Sequence, residues 1–394
     1  MSAHARRCGR SATFPQGRVI MRKYFGCVLI TVLCSVFSYS QVRQFERAVM
    51  LESTSETSAN ASFGDLDHDG DLDIVLAKGR HWPLHDRVLF NNGKGEFTAG
   101  QNLGETPDKT YSALLIDLDS DGDLDVAVSN DKPDKKLIYF NDGKGNFRVS
   151  GTWGNPLWKT RNASSADLNG DGKPDIIAAN RAEPSYFCLN DGHGVFPEKN
   201  CFPIPAPSAT SIVAADFNGD KFIDLAVPNR DGGQSQVFFN DGKAKFVTTK
   251  TFGPVSSSAR SAASADLNGD GSLDLVVGDE LLGTFIYLND GKGEFRSGVQ
   301  LGDKSLVPYA IAISDMNRDR KLDIVVGYET APGSVFFNDG TGVKFEQVRF
   351  GDGKGVVYGL ALGDLNGDGF PDIGAGRTDA PNVLYFSGPA ARKP

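Results

Sequence analysis

The chain has 394 residues, 40% of them hydrophobic and 23% charged, with a formal net charge of −9. The sequence carries no basic stripe, which excludes a nucleic-acid binder of the usual kind. No Ser-His-Asp, zinc or phosphate-loop signature is present, which leaves out the commonest hydrolase and nucleotide-dependent classes. Taken in chain order, Met1–Ile20 comes first, with four arginines; it reads as an over-extended gene start or as an extended n-region. From Met21 the sequence MRKYFGCVLITVLCSVFSYSQ has two cations, an apolar run and small residues before Gln41, the pattern of a secretory signal with cleavage after Ser40. Its apolar run is short for a membrane span, and Cys34 follows Leu33 rather than the small residue of a lipoprotein site. Residues 1–40 are thus expected to be an extension plus leader, and residues 41–390 one domain of a secreted, periplasmic or cell-surface protein.

Within that domain one pattern returns seven times. It reads DLDHDGDLD from Asp65, DLDSDGDLD from Asp117, DLNGDGKPD from Asp167, DFNGDKFID from Asp216, DLNGDGSLD from Asp266, DMNRDRKLD from Asp315 and DLNGDGFPD from Asp364. Successive starts lie 52, 50, 49, 50, 49 and 49 residues apart, a period that signals a propeller or solenoid. Each unit carries four strand-like runs. In the second unit these are SALLID before the acidic loop, DVAVS after it, LIYFND (Leu137–Asp142), and a run starting at Phe147 beyond an Asn-Asp-Gly hairpin turn. No segment keeps helical periodicity. The expected fold is all-β: a seven-bladed propeller of four-stranded antiparallel blades. The last unit lacks the turn-plus-phenylalanine element. Phe45 stands 20 residues before Asp65, as Phe97, Phe147, Phe196, Phe246 and Phe295 stand before their following loops. The strand near Gln44–Met50 is therefore expected to complete the last blade and close the ring, which removes exposed sheet edges.

The acidic loops place oxygens at alternate positions, which calls for a hard cation. The ligand types at positions one, three, five and nine favour Ca²⁺ over Mg²⁺ or Zn²⁺. The candidates are Asp65, Asp67, Asp69 and Asp73; Asp117, Asp119, Asp121 and Asp125; Asp167, Asn169, Asp171 and Asp175; and Asp216, Asn218, Asp220 and Asp224. They continue with Asp266, Asn268, Asp270 and Asp274; Asp315, Asn317, Asp319 and Asp323; and Asp364, Asn366, Asp368 and Asp372. Five loops have Gly at position six. The fourth has Lys221 there, and the sixth has Arg318 at position four and Arg320 at position six, so five to seven sites are expected. In those two loops a basic side chain either stands in for the ion or the backbone accepts a positive φ. Seven Ca²⁺ would carry the formal charge from −9 to +5, so the acidic balance describes only the ion-free chain. In an oxidising compartment Cys188 and Cys201 either pair across the third unit's outer hairpin or stand as separate small apolar residues. A simple hairpin register does not set them opposite each other.

These units resemble FG-GAP/VCBS-type repeats, the blades of the integrin α-subunit head and of many bacterial extracytoplasmic proteins. SFGDLDHDGDLDIVLAKG (Ser62–Gly79) even keeps the Phe-Gly pair. The resemblance implies a calcium-binding propeller but says little of function, since the fold hosts lectins, adhesins, scaffolds and a few lyases.

In such a propeller the acidic loops and Asn-Asp-Gly turns share one face. The opposite face receives Tyr111, Arg161, Arg260, Tyr309 and Tyr358, with Ala59 and Thr210, six positions before each acidic loop. It also receives Arg80, His81, Trp82 and His85 from one long loop, Trp153 and Trp158, and Arg181, Arg230, Tyr328 and Arg377. Aromatic faces beside arginines suit sugar rings and their substituents. The leading expectation is an extracellular binding or adhesion module for a glycan or a protein. The alternative is a polysaccharide lyase on uronate polymers, with His81, Tyr111, Arg161, Arg260, Tyr309 and Tyr358 supplying proton-transfer and cationic groups.

Overall fold

The computed structural model describes residues 42–389 other than 98, 99, 207 and 297. The expected leader lies outside these residues. The chain forms seven antiparallel sheets of four strands. Blade one contains Ser58–Gly64, Asp73–Lys78, Leu84–Leu89 and Gln101–Asp108. Blade two contains Thr110–Ile116, Asp125–Asn130, Lys136–Asn141 and Phe147–Trp153, and the pattern repeats to blade seven. There Val356–Gly363, Asp372–Thr378 and Val383–Pro389 are joined by Arg43–Met50 as the outermost strand, which closes the ring as expected. Phe45 is buried there, edge-on to Phe350 of blade six. Among the described residues no helix is long and apolar enough to cross a membrane.

The second strand of each blade is buried from end to end, because it is covered on both faces by neighbouring blades. The cores accordingly lie between blades: Leu66, Val75 and Val88 of blade one pack with Val126, Val128 and Tyr139 of blade two. Polar groups add a stitch at six junctions. The asparagine that opens each Asn-Asp-Gly turn, or its equivalent Asn91, sends its side-chain amide to the second residue of the previous blade's acidic loop. Asn141 reaches Leu66 O at 2.8 Å, Asn190 reaches Leu118 O at 2.9 Å, and Asn91 reaches Leu365 O at 2.8 Å across the closure.

Cys188 and Cys201 are joined by a disulfide and face each other directly in the register of blade three. The simple hairpin count misses this because Phe196 is drawn into the core and a 3₁₀ turn, Glu198–Asn200, delays the outer strand until Cys201.

Candidate functional site

The positions six residues before each acidic loop do converge. Ala59, Tyr111, Arg161, Thr210, Arg260, Tyr309 and Tyr358 line one cavity of about 150 Å³, joined by Arg80, His81 and Arg181. The local cause is a recurrent backbone irregularity. In six inner strands the pairing skips one residue: Ser58 pairs with Lys78 but Asn60 with Ala77, leaving Ala59 out. The residues left out in the others are Tyr111, Arg161, Arg260, Tyr309 and Tyr358. A β-bulge bends its strand and re-aims a side chain. Here six bulges at equivalent positions turn six side chains toward the common mouth. Asn60, Asn162, Ser211 and Ser261 also line it. Sequence alignment of the units missed these because the bulge lets two successive residues face the axis, where strict alternation predicts one.

The mouth is built of cations on aromatic faces. Arg80 lies 3.6 Å from the Tyr358 ring centre, Arg260 3.8 Å from Tyr309, and Arg161 4.3 Å from Tyr111. Tyr309 and Tyr358 meet edge-to-face at 5.0 Å. Such cation–π contacts hold guanidinium groups in place while leaving their edges free to donate. Carboxylates from neighbouring loops balance most of the charge. Asp131 pairs with Arg161 at 2.8 Å, by distance rather than hydrogen-bond angle. Glu280 pairs with Arg230 at 2.7 Å and also with Arg260, and Asp231 with Arg181 at 3.4 Å. The Tyr111 hydroxyl lies 3.1–3.2 Å from the His81 ring nitrogens. Burial, reinforced by Arg80, Arg161 and Arg181, lowers the His81 pKa, so the imidazole is neutral near pH 7. Burial raises the Tyr111 and Tyr309 phenols, which therefore stay protonated.

Six of the side chains expected on this face do not line the cavity. Trp153 is 1% exposed, and its indole N–H donates to Val128 O at 3.1 Å inside the blade. Tyr328 and Arg377, each 2% exposed, end second strands, where both flanking blades cover them. Arg377 spends its donors on Asp352 and the Pro381 and Lys354 carbonyls. Arg230 is buried between Glu280 and Ser258. Trp158 stacks on Tyr186 at 4.2 Å. His85 sits in a separate groove with Lys78 and Arg87. Trp82, 70% exposed, does stand on the loop that carries Arg80 and His81.

At the other end of the blades the acidic loops share one backbone. Position six has positive φ in every loop: 91° at Gly70, 81° at Gly172, and likewise 74° at Lys221 and 69° at Arg320. Position four does too, including His68, Ser120 and Arg318. The deviant loops thus keep the turn at a conformational cost rather than reshaping it. Among the described residues, Lys221, Arg318 and Arg320 make no ion pair with a loop carboxylate; Arg318 instead reaches Phe370 of blade seven, 5.4 Å from the ring centre. The ninth-position aspartates are fully buried and act as clamps. Asp175 accepts from Leu168 N–H at 3.0 Å and Asn190 N–H at 2.9 Å, and the same two bonds recur in all seven blades. Desolvation lifts their pKa values to about 6, and that of Asp323 to about 7.

Asp65, Asp67 and Asp73 offer carboxylate oxygens within 4.8 Å of one another, as do Asp117, Asp119 and Asp121. Asp65 Oδ1 and Asp117 Oδ1 are buried with no hydrogen-bond partner. An all-oxygen set with orphaned anionic atoms fits a hard cation.

Five segments of the chain, residues 65–128, 117–178, 167–227, 216–277 and 315–375, match the FG-GAP-like repeat. The chain belongs to the FG-GAP-like repeat family. No curated protein matches it. Among solved structures, this FG-GAP chain is similar to an Agrocybe aegerita lectin that recognises non-reducing terminal N-acetylglucosamine. The TM-score is 0.54 at 20% identity, over 83% of this chain and 87% of that one. It is also similar to BBS1N, solved in complex with ARL6DN. In a mercury-soaked crystal the TM-score is 0.59 at 12% identity, over 89% and 98% of the two chains; a lead-soaked crystal gives the same score and identity over 88% and 97%. At these identities the likeness is one of fold.

Proposed function

We propose that this FG-GAP propeller is an exported, calcium-stabilised binding module that takes a saccharide at the mouth opposite its acidic loops. One observation carries the reading: six bulges at equivalent places in six blades direct Tyr and Arg side chains, with one Ala, into a single cavity. Fold stability alone asks for no such device, since a regular inner strand would bury the same backbone. The polar lining, the exposed Trp82 and the lectin among similar structures support a sugar over other small ligands. The Cys188–Cys201 disulfide supports export, since such bonds persist in oxidising compartments. Calcium would be held by the carboxylates and asparagine oxygens at positions one, three and five, with the clamp aspartate behind them. Bound there, it supplies a positive charge that neutralises the loop and fixes the first hairpin of each blade.

The test is a glycan array read in calcium with the wild type and with Tyr358→Ala. A signal that the variant loses supports the reading, and a wild-type array blank in calcium refutes it. Elimination on a uronate is a second reading, favoured by the neutral His81 beside the Tyr111 hydroxyl. It predicts ultraviolet-absorbing unsaturated products from uronate polymers, lost in His81→Ala.

A further inference from the structure

We infer that the mouth is selective for one carboxylate on its sugar, and that Arg80 is the residue that pairs with it; the inference rests on the saccharide reading above. The other arginines of this region each have a carboxylate partner. Arg161 has Asp131, Arg181 has Asp231, and Arg230 and Arg260 share Glu280. Glu329 accepts the Tyr309 hydroxyl at 3.1 Å. Arg80 has no carboxylate among the described residues. Its Nη1 donates to Thr378 Oγ1 at 3.2 Å, its Cζ lies 3.6 Å from the Tyr358 ring centre, and its Nε is buried without a hydrogen-bond partner. A half-buried guanidinium held over an aromatic ring, with a buried Nε that has no partner, is preorganised for a planar oxyanion.

The backbone adds a second observation. Arg80 has φ 41°, in the left-handed region that a residue with a Cβ avoids, directly after Gly79 at φ 104°. A Cβ on Gly79 would meet Asp108 O at 2.3 Å. The turn is held by Gly79 N–H to Thr57 O at 2.7 Å and Arg80 N–H to Thr110 O at 3.2 Å. Backbone strain of this kind persists where the surroundings over-determine it, and it clusters at ligand clamps. Its effect here is to bring an unmatched arginine into the cavity.

The same counting limits the ligand to one negative charge. With His81 neutral, the five arginines Arg80, Arg161, Arg181, Arg230 and Arg260 stand against the four carboxylates Asp131, Asp231, Glu280 and Glu329, one cation in excess, so a carboxylate fits and a dianionic phosphate would exceed the match. Trp82, two residues along the same loop and not part of the cavity lining, gives an exposed apolar face. A cavity of about 150 Å³ takes one sugar unit, the rest of a chain lying across the face. Together these features describe a uronate unit.

The experiment titrates the calcium-saturated chain with oligouronates of glucuronate, galacturonate, mannuronate and guluronate. Each is paired with its methyl ester, which keeps the shape and removes the charge. A neutral N-acetylglucosamine oligomer and a short peptide with a free carboxyl terminus complete the set. At least one acid should bind tenfold or more tightly than its ester; Arg80→Gln should abolish that preference, and Arg80→Lys should keep part of it. Trp82→Ala, on an exposed side chain, should weaken acid and ester alike, and serves if Arg80→Gln does not reach the calcium-loaded melting temperature of the wild type. Equal binding of acid and ester, a preference that survives Arg80→Gln, or a peptide that binds as well as the best uronate overturns the inference. Binding of the neutral oligomer alone overturns it and leaves the saccharide reading standing, whereas no binding by any sugar removes both.

Discussion

The clamp aspartates give a prediction that separates two contributions to stability. In blade three, Asp175 holds Leu168 N–H and Asn190 N–H, and Asn190 in turn donates its amide to Leu118 O of blade two at 2.9 Å. Asp175→Asn keeps the shape but turns one acceptor into a donor aimed at an N–H. One buried donor is left unpaired, which costs about 1–3 kcal/mol. That loss is present with or without calcium. If the loop binds calcium, the variant also forfeits the ion's linkage energy, about 2.7 kcal/mol at a free concentration one hundred times the dissociation constant. Urea unfolding in calcium and in EGTA measures both. The variant should be less stable in EGTA by the smaller amount and in calcium by roughly the sum. An equal loss in both media would show that Asp175 supports no ion in this loop. No loss in EGTA would show that the two hydrogen bonds do not clamp the blade.

Chelation of the wild type should lower the melting temperature by many degrees, since each ion-free loop leaves several carboxylates crowded together; a calorimetric scan unchanged by EGTA would refute the calcium sites. Asp86 is buried, and burial pushes its pKa to about 7. The folded chain therefore binds a proton there that the unfolded chain has released, so stability is greatest below about pH 4 and falls as pH rises toward 7. The full shift corresponds to about 4 kcal/mol. Asp86→Asn, which resembles the protonated acid, should gain on the wild type across that interval, and a difference that does not change with pH would refute it. Cys188→Ser opens a 13-residue link and should cost about 3 kcal/mol, read as a fall in the urea midpoint that dithiothreitol reproduces in the wild type.

Much of the fold was legible because it is repeated. The seven acidic loops, their spacing and the stray Phe45 specify the blade count and the closure. What the sequence hid lies where repetition breaks or where burial decides. Lys78, Tyr328 and Arg377 align with Asn130 and Asn180, and all five are buried at the ends of second strands. Polarity alone suggests a surface, whereas Asn130 closes its hairpin on Lys135 O at 2.8 Å, Asn180 on Pro184 O at 2.9 Å and Arg377 on Pro381 O at 2.7 Å, and Lys78 pairs with Glu52 and Glu56. The bulges carry no residue signature, because Ala, Tyr and Arg all occupy the skipped position. Arg80 is visible in the sequence as a loop arginine, but that it has no carboxylate among the described residues depends on which partners its neighbours take.

The two ends of the propeller are coupled through the strands that build both. In six of the seven blades the inner strand runs from a bulge at the mouth to an acidic loop whose first residues are fixed by the clamp aspartate, and both ends are tied to the same second strand. In blade two, Thr110 pairs with Asn130 at the bulge and Ile116 with Asp125 at the loop. The aspartate end is nearly invariant among the seven copies, while the bulge residue is Ala, Tyr or Arg in six blades and Thr210 occupies the place in blade four. A fold so arranged confines ligand recognition to positions that the repeat does not need. Changing a bulge residue should therefore alter binding with little effect on stability, whereas changing a clamp aspartate should alter both. That contrast, measured on Tyr358→Ala and Asp175→Asn with one ligand, would distinguish a recognition surface from a ring of structural side chains.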